Sequence, residues 1–203
     1  MNKSKTSNRG PASPGLLVIL SAPSGCGKTT IVDRLLKRHP QWMRSISVTT
    51  RLPREGEVDG TDYFFVTDEA LKKMDSRGEL LESARVFDYY YGTPKKFVEE
   101  QLKQSKIVIM TIDVQGTAKI KASVGTLLPM MTIFVLPPSV KVLRERLESR
   151  KTEGPEAIEK RIVIAQDEIK EAGWYDFTVV NQNLDQTITE MEGFIDQVQK
   201  RKE

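Results

Sequence analysis

The 203 residues allow one domain with small insertions, and their 38% hydrophobic and 29% charged content is that of an ordinary globular chain. A net charge of +3, much of it in Lys3, Lys5, Arg9 and Lys200-Arg201-Lys202, is too small and dispersed to argue for nucleic acid. No apolar run approaches the ~20 residues that span a bilayer, and a single cysteine excludes an internal disulfide framework and suits a reducing cytoplasm.

In chain order, the polar stretch 1–14 carries no secretory signal and reads as a disordered tail. Leu16–Leu20 is an apolar run of strand length, and it breaks into the loop Ala22-Pro23-Ser24-Gly25-Cys26-Gly27-Lys28-Thr29-Thr30. A helical pattern over Lys28–Arg38 follows. Strand, small-residue loop and Gly-Lys-Thr at a helix start are the layout of a phosphate-binding loop. Its glycines let backbone N–H groups surround phosphate oxygens, Lys28 reaches the β/γ-phosphates, and the Thr29 hydroxyl is placed for Mg²⁺. Ala22 stands where the strict pattern has glycine, a place alanine fills if φ stays negative. Cys26 lies inside the loop; oxidation there would hinder nucleotide binding, although filling a variable position is the plainer reading. With one His and one Cys there is no cluster of metal-ligand type. His39, before Pro40, reads as a surface residue at a helix C-terminus.

Three further nearly continuous apolar runs, Ile107–Ile112, Met131–Leu136 and Phe177–Val180, read as strands buried on both faces. Helical patterns cover Val140–Ser149, Pro155–Glu171 and Leu184–Gln199. The alternation predicts an α/β fold with a parallel core sheet between helices, three layers in all. From Ser45 to about Gly92 the rhythm changes to short runs (Ile46–Thr49, Asp62–Val66, Leu80–Phe87), read as a small, mostly β insertion. An arginine-rich hairpin, Arg144–Arg161, has Gly154-Pro155 at its turn. The expected division is core 15–44, 95–143 and 172–203, mixed-β lobe 45–94 and helical lid 144–171.

The lobe carries a second chemical signal. Arg51 and Arg54 flank Pro53, and two guanidiniums aimed at one point suit bidentate recognition of a phosphate. Tyr63 and Tyr89-Tyr90-Tyr91 offer hydroxyls to phosphate oxygens. Glu82, acceptor-only when ionised, fits a partner with two adjacent donors, such as the N1–H and N2–H₂ edge of guanine. Taken singly, Tyr63, Tyr90 and Tyr91 read rather as strand-face packing and Glu82 as a solvated strand charge.

Taken together, the segment Ser47-x-Thr-Thr-Arg51-x-x-Arg54-x-Gly-Glu with Gly60-x-x-Tyr63 resembles the GMP-binding signature of the guanylate kinase family. The resemblance runs from about Gly15 to the end of the chain. Ile112-Asp113-Val114-Gln115-Gly116 is similar to that family's turn after a core strand, and Leu136-Pro137-Pro138-Ser139 to its Pro-Pro-Ser strand exit. The resemblance implies that Arg51, Arg54, Tyr63 and Tyr91 hold the GMP phosphate, and that Ser47, Glu82, Thr93 and Asp113 read the guanine. It assigns lid roles to Arg146, Arg150 and Arg161 and puts Asn181 near the adenine of ATP. Three positions depart from the family's habit: Thr111 stands for a second acidic residue near Mg²⁺, Lys151 for a glycine, and Gln182-Asn183 for an acidic pair.

The activity implied is Mg²⁺-dependent, reversible transfer of the ATP γ-phosphoryl to GMP, and to dGMP. Lys28, Arg54, Arg150 and Arg161 are the expected catalytic groups. The residues from Ala22 to Thr30, with Arg146 and Asn181, are expected to bind ATP, and Thr29 the metal. The expected partners are the two nucleotides, with no nucleic acid and no membrane, in the cytoplasm; the oligomeric state stays open. Two other readings are a non-catalytic guanylate-kinase-like module for phosphorylated peptides and a kinase of the same fold for another phosphorylated acceptor. The intact Lys28 and Thr29 weigh against the first, and Glu82 beside the arginines against the second.

Overall fold

The computed structural model describes residues 15–86, 88–124, 128–149 and 154–201. The expected tail and the expectations for Arg150 and Lys151 fall outside them. Strand β1 (Leu16–Ser21) is buried along its whole length. Side chains alternate across a strand, so Leu16, Val18 and Leu20 enter one apolar cluster and Leu17 and Ile19 another. Two buried faces are the reason the run shows no polar alternation.

α1 (Lys28–Arg38) packs Ile31, Val32 and Leu35 on the first cluster. After the short β2 (Met43–Arg44) the chain forms β3 (Val48–Thr49), β4 (Phe64–Phe65), α2 (Asp68–Ser76), β5 (Leu80–Val86) and β6 (Tyr89–Pro94). α3 (Lys95–Lys103) leads to β7 (Ile107–Thr111), then α4 (Val114–Val124), β8 (Met130–Leu136), α5 (Val140–Ser149) and α6 (Pro155–Lys170). A 3₁₀ turn at Glu171–Trp174, β9 (Phe177–Val180) and α7 (Leu184–Lys200) complete it.

Five strands form a parallel sheet in the order β2-β7-β1-β8-β9. Ile31, Leu143, Ile162, Ile188, Met191 and Ile195 cover one face, from α1, α5, α6 and α7. Val98 and Leu102 of α3 and Ile120 of α4 cover the other. β1 lies between β7 and β8, so chain connections leave it in both directions, and the crevice at such a point is where open α/β sheets bind ligands. The second sheet, β4-β3-β6-β5, is mixed: β3 and β4 are parallel and the other pairs antiparallel. It has its own small core of Val48, Leu71 and Leu80.

The four expected core strands are all present, with ends moved by at most one residue, and the helices at 28–38 and 140–149 lie where they were read. Elsewhere the structure adds elements. The 45–94 segment holds a helix, α2, whose start is capped by Thr67 Oγ1 accepting from Ala70 N at 3.2 Å. Tyr89–Pro94, for whose tyrosines strand-face packing is one of the two readings, is a strand. The helical pattern expected to reach Glu171 stops at Lys170, where the backbone tightens into the 3₁₀ turn. His39 is the C-cap of α1 but no open surface residue: it stacks on Trp42 at 4.0 Å and its Nε2 lies 2.8 Å from Glu192.

Candidate active site

The loop after β1 turns through Gly25 and Gly27, at φ 94° and 87°, a region that L side chains rarely adopt. A Cβ on Gly25 would also come within 3.0 Å of Leu143 and Leu147. Among the described residues Ser105 is the sole non-glycine with positive φ, so Ala22 keeps the negative φ its place requires. Gly27 is the N-cap of α1, with no side-chain cap and no acidic residue in the first turn. The orphan N–H groups and the positive end of the helix dipole are therefore left to an anion. Lys28 Nζ donates to the Ala22 carbonyl. Cys26 is fully buried in the cluster beneath α1, so this place in the loop is filled as part of the core.

A cavity of about 420 Å³ opens beside this loop. Its wall includes Ala22, Ser24, Lys28 and Thr29 from the loop, Thr111 and Asp113 from the end of β7 and the turn after it, and Gln115 from the first turn of α4. The second sheet and its connections add Ser47, Arg54, Tyr63, Glu82, Arg85 and Tyr91, and α6 adds Arg161, Ile164 and Glu168. The sequence thus named most of this wall. Thr93 is fully buried behind it and donates from Oγ1 to Glu82 Oε1 at 2.8 Å. Arg51 lies back from the wall: its Nη2 donates to both Glu57 oxygens at 2.8 and 2.9 Å, and its guanidinium sits 5.4 Å from the Tyr63 ring centre. Burial works against the Arg51 charge, but the hydrogen bonds to Glu57 and Tyr91 outweigh it and raise its pKa. The remaining loop residues, with Arg146 and Asn181, are not part of the cavity wall among the described residues.

Glu82 reaches the cavity through an irregularity in β5. Leu80 pairs with Pro94 and Ser83 with Gly92, so β5 has one residue more than β6 between those pairs. A bulge of this kind re-aims neighbouring side chains. Leu80 joins the lobe core, Leu81 the main core, and Glu82 turns to the cavity. Burial pushes the Glu82 carboxyl up to about 7 against the pull of the Thr93 hydrogen bond, with the nearby Asp113 charge adding to the rise. Asp113 Oδ1 accepts from Gly116 N at 2.7 Å, which fixes the start of α4 while the residue still faces the cavity. Tyr63 and Tyr91 meet edge to face, with ring centres 6.0 Å apart.

α6 brings opposite charges to the same opening. Arg161 Nη1 donates to Ser24 Oγ at 2.7 Å, so this helix touches the phosphate loop directly. Glu168, two helical turns further on the same face, was missed by sequence reasoning. Its carboxyl is pushed up to about 7 by burial, opposed by Lys28 and reinforced by Asp113. The signal available was its spacing from Arg161, but only the folded chain sets Lys28 and Asp113 near it. Arg144, by contrast, pairs with Glu159 across α5 and α6, from Nη2 to Oε2 at 2.9 Å.

Sheet order and loop together define a class, the P-loop nucleotide-binding α/β/α proteins. The comparisons with known proteins narrow it. The model of the family described as "Guanylate kinase" matches residues 15–198. A guanylate kinase of Synechocystis sp. is 47% identical over 174 residues, covering 86% of this chain and 90% of the relative. One of Wolbachia sp. subsp. Brugia malayi is 41% identical over 182 residues, covering 90% and 92%. The crystal structure of guanylate kinase from Anaplasma phagocytophilum aligns with a TM-score of 0.77 at 31% identity, covering 92% of this chain and 87% of that one. The chain belongs to the guanylate kinase family.

Proposed function

We propose that this chain is an ATP:GMP phosphotransferase, moving the γ-phosphoryl of ATP reversibly to GMP, and to dGMP, to give ADP and GDP in the cytoplasm. Carrying this reading is one cavity with Lys28 and Thr29 on one side and the buried Glu82 with Tyr63 and Tyr91 on another. Family membership over residues 15–198 adds independent support. In functional terms the β-rich segment 45–94 is the acceptor lobe, 144–171 the lid, and the rest of 15–203 the core.

In the reaction a GMP phosphate oxygen bonds to the γ-phosphorus as the bond to the β,γ-bridging oxygen breaks, and ADP leaves. The acceptor oxygen is already anionic, so positioning and charge neutralisation supply most of the catalysis without a strong base. The loop from Ala22 to Thr30, through the N–H groups of its residues other than Pro23, and Lys28 hold the triphosphate. Arg54, Tyr63 and Tyr91 hold the GMP phosphate, and Arg51 stiffens that side through its pair with Glu57. Ser47, Glu82 and Asp113 face the guanine, with Thr93 orienting Glu82. Arg161, together with Arg150, balances charge on the transferring group.

The site fits Mg²⁺. The exposed Thr29, with Thr111 and Asp113, lines one side of the cavity; their side chains carry hydroxyl and carboxylate oxygens, the hard donors this cation prefers. Thr29 would hold it, and the ion would offset negative charge on the triphosphate.

The test is ADP release from MgATP with GMP, dGMP, AMP, CMP and UMP offered separately. Rapid turnover with GMP and dGMP and little with the others is the expected result. Turnover with none of them would reject the reaction, and equal turnover with AMP would reject the guanine reader.

A further inference from the structure

Asn181 stands just past β9, in the position for which the resemblance implies a place near the adenine of ATP. Its side chain is engaged elsewhere. The residue is 7% exposed, and its Nδ2 donates to the Cys26 carbonyl at 2.8 Å. A carbonyl only accepts, so the nitrogen end of the amide must be the one that faces it. Cys26 precedes Gly27, the left-handed N-cap of α1, and a Cβ at Gly27 would lie 3.0 Å from the same Nδ2. The amide therefore rests on the turn where the loop becomes the helix.

The support behind Asn181 is fixed in its turn. Its N–H donates to the Leu136 carbonyl at 2.9 Å, and its own carbonyl accepts from Arg146 Nη2 at 2.9 Å. Thr187 Oγ1 lies 3.4 Å from the amide oxygen, on the side away from the loop. β8 and α5 thus hold the backbone of this residue, and its side chain holds the loop.

We propose that Asn181 is a positioning residue for the phosphate loop, acting through the Cys26 carbonyl, and that its side chain does not read the adenine. Phosphate binding depends on several loop N–H groups pointing at one place. Removing the Asn181 amide takes a hydrogen bond from the Cys26 carbonyl and loosens the peptide plane that carries the Gly27 N–H. The inference rests on the reading of this loop as the triphosphate site.

The test compares ATP with inorganic tripolyphosphate, which has no base, by calorimetric titration of the parent, Asn181→Ala and the near-isosteric Asn181→Asp. Both variants should weaken both ligands by about tenfold and by the same factor, leaving GMP affinity unchanged. Loss of ATP affinity with tripolyphosphate affinity intact would overturn the proposal, as would no change for either ligand. A second readout needs no variant. In the parent, the Asn181 side-chain amide resonance should move on addition of tripolyphosphate and stay in place with adenosine; the reverse pattern overturns the proposal. A parent that binds neither ATP nor tripolyphosphate would overturn this inference and the loop reading together. Binding of both without GMP-dependent turnover would reject only the proposed reaction.

Discussion

Because burial holds the Glu82 carboxyl at about 7, the residue is divided between acid and carboxylate near neutral pH. Two guanine donors need two acceptor oxygens, so only the ionised form binds the base in the proposed way. GMP affinity should level off above about pH 8 and fall about tenfold per pH unit below about 6. The GMP phosphate itself titrates near pH 6, so Glu82's share is the difference between the parent and Glu82→Gln profiles. Superimposable profiles would remove Glu82 from the base contact. Arg161 makes a separate case. Its Nη1 lies 2.7 Å from Ser24 Oγ in the loop, beside the proposed triphosphate site. Arg161→Ala should lower kcat by ~10³ with little change in KM for GMP, and steady-state kinetics showing an unchanged kcat would reject that role. Lys28 and Thr29 were legible because their motif is local. Glu168 was not, since the two charges that act on it come from the loop after β1 and the turn after β7.

At the level of elements, strands buried on both faces announced themselves as apolar runs, and the core sheet was legible for that reason. The short edge strand β2 (Met43–Arg44) gave no such signal, because two half-buried residues make no period. α4 was missed for a related cause: Gly116 falls inside it, and its apolar residues form only a weak stripe. The bulge that turns Glu82 inward was beyond reach, since it is a mismatch in length between β5 and β6 and is written in neither alone. α7 shows what the unusual Gln182-Asn183 pair does locally. Asn183 Oδ1 accepts from Gln186 N at 3.1 Å and caps this helix. Asn183→Ala should cost about 1 kcal/mol of stability in urea denaturation, and Asn183→Asp should retain it. Equal stability of all three proteins would show that the cap contributes nothing.

Across the molecule, two sheets meet around a cavity that keeps two carboxyls, Glu82 and Glu168, well above their ordinary range. Below about pH 4.5 both groups are protonated in the folded and unfolded chain alike, and they impose no penalty. Between about 4.5 and 7 the unfolded chain releases these protons first, so this pair lowers stability as pH rises and its effect levels off above 7. The double variant Glu82→Gln, Glu168→Gln should therefore be more stable than the parent at pH 7.5, with the advantage fading by pH 4.5. Urea midpoints at several pH values read this directly; a constant difference would place the cost elsewhere. The full burial of Cys26 supplies a different kind of instrument. It is the chain's one sulfhydryl, so a thiol reagent in excess works as a stopwatch whose ticks are openings of the phosphate loop. ATP should slow the stopwatch at least tenfold, by mass action on the closed loop. A labelling rate equal to that of global unfolding would show that loop and core come apart as one piece.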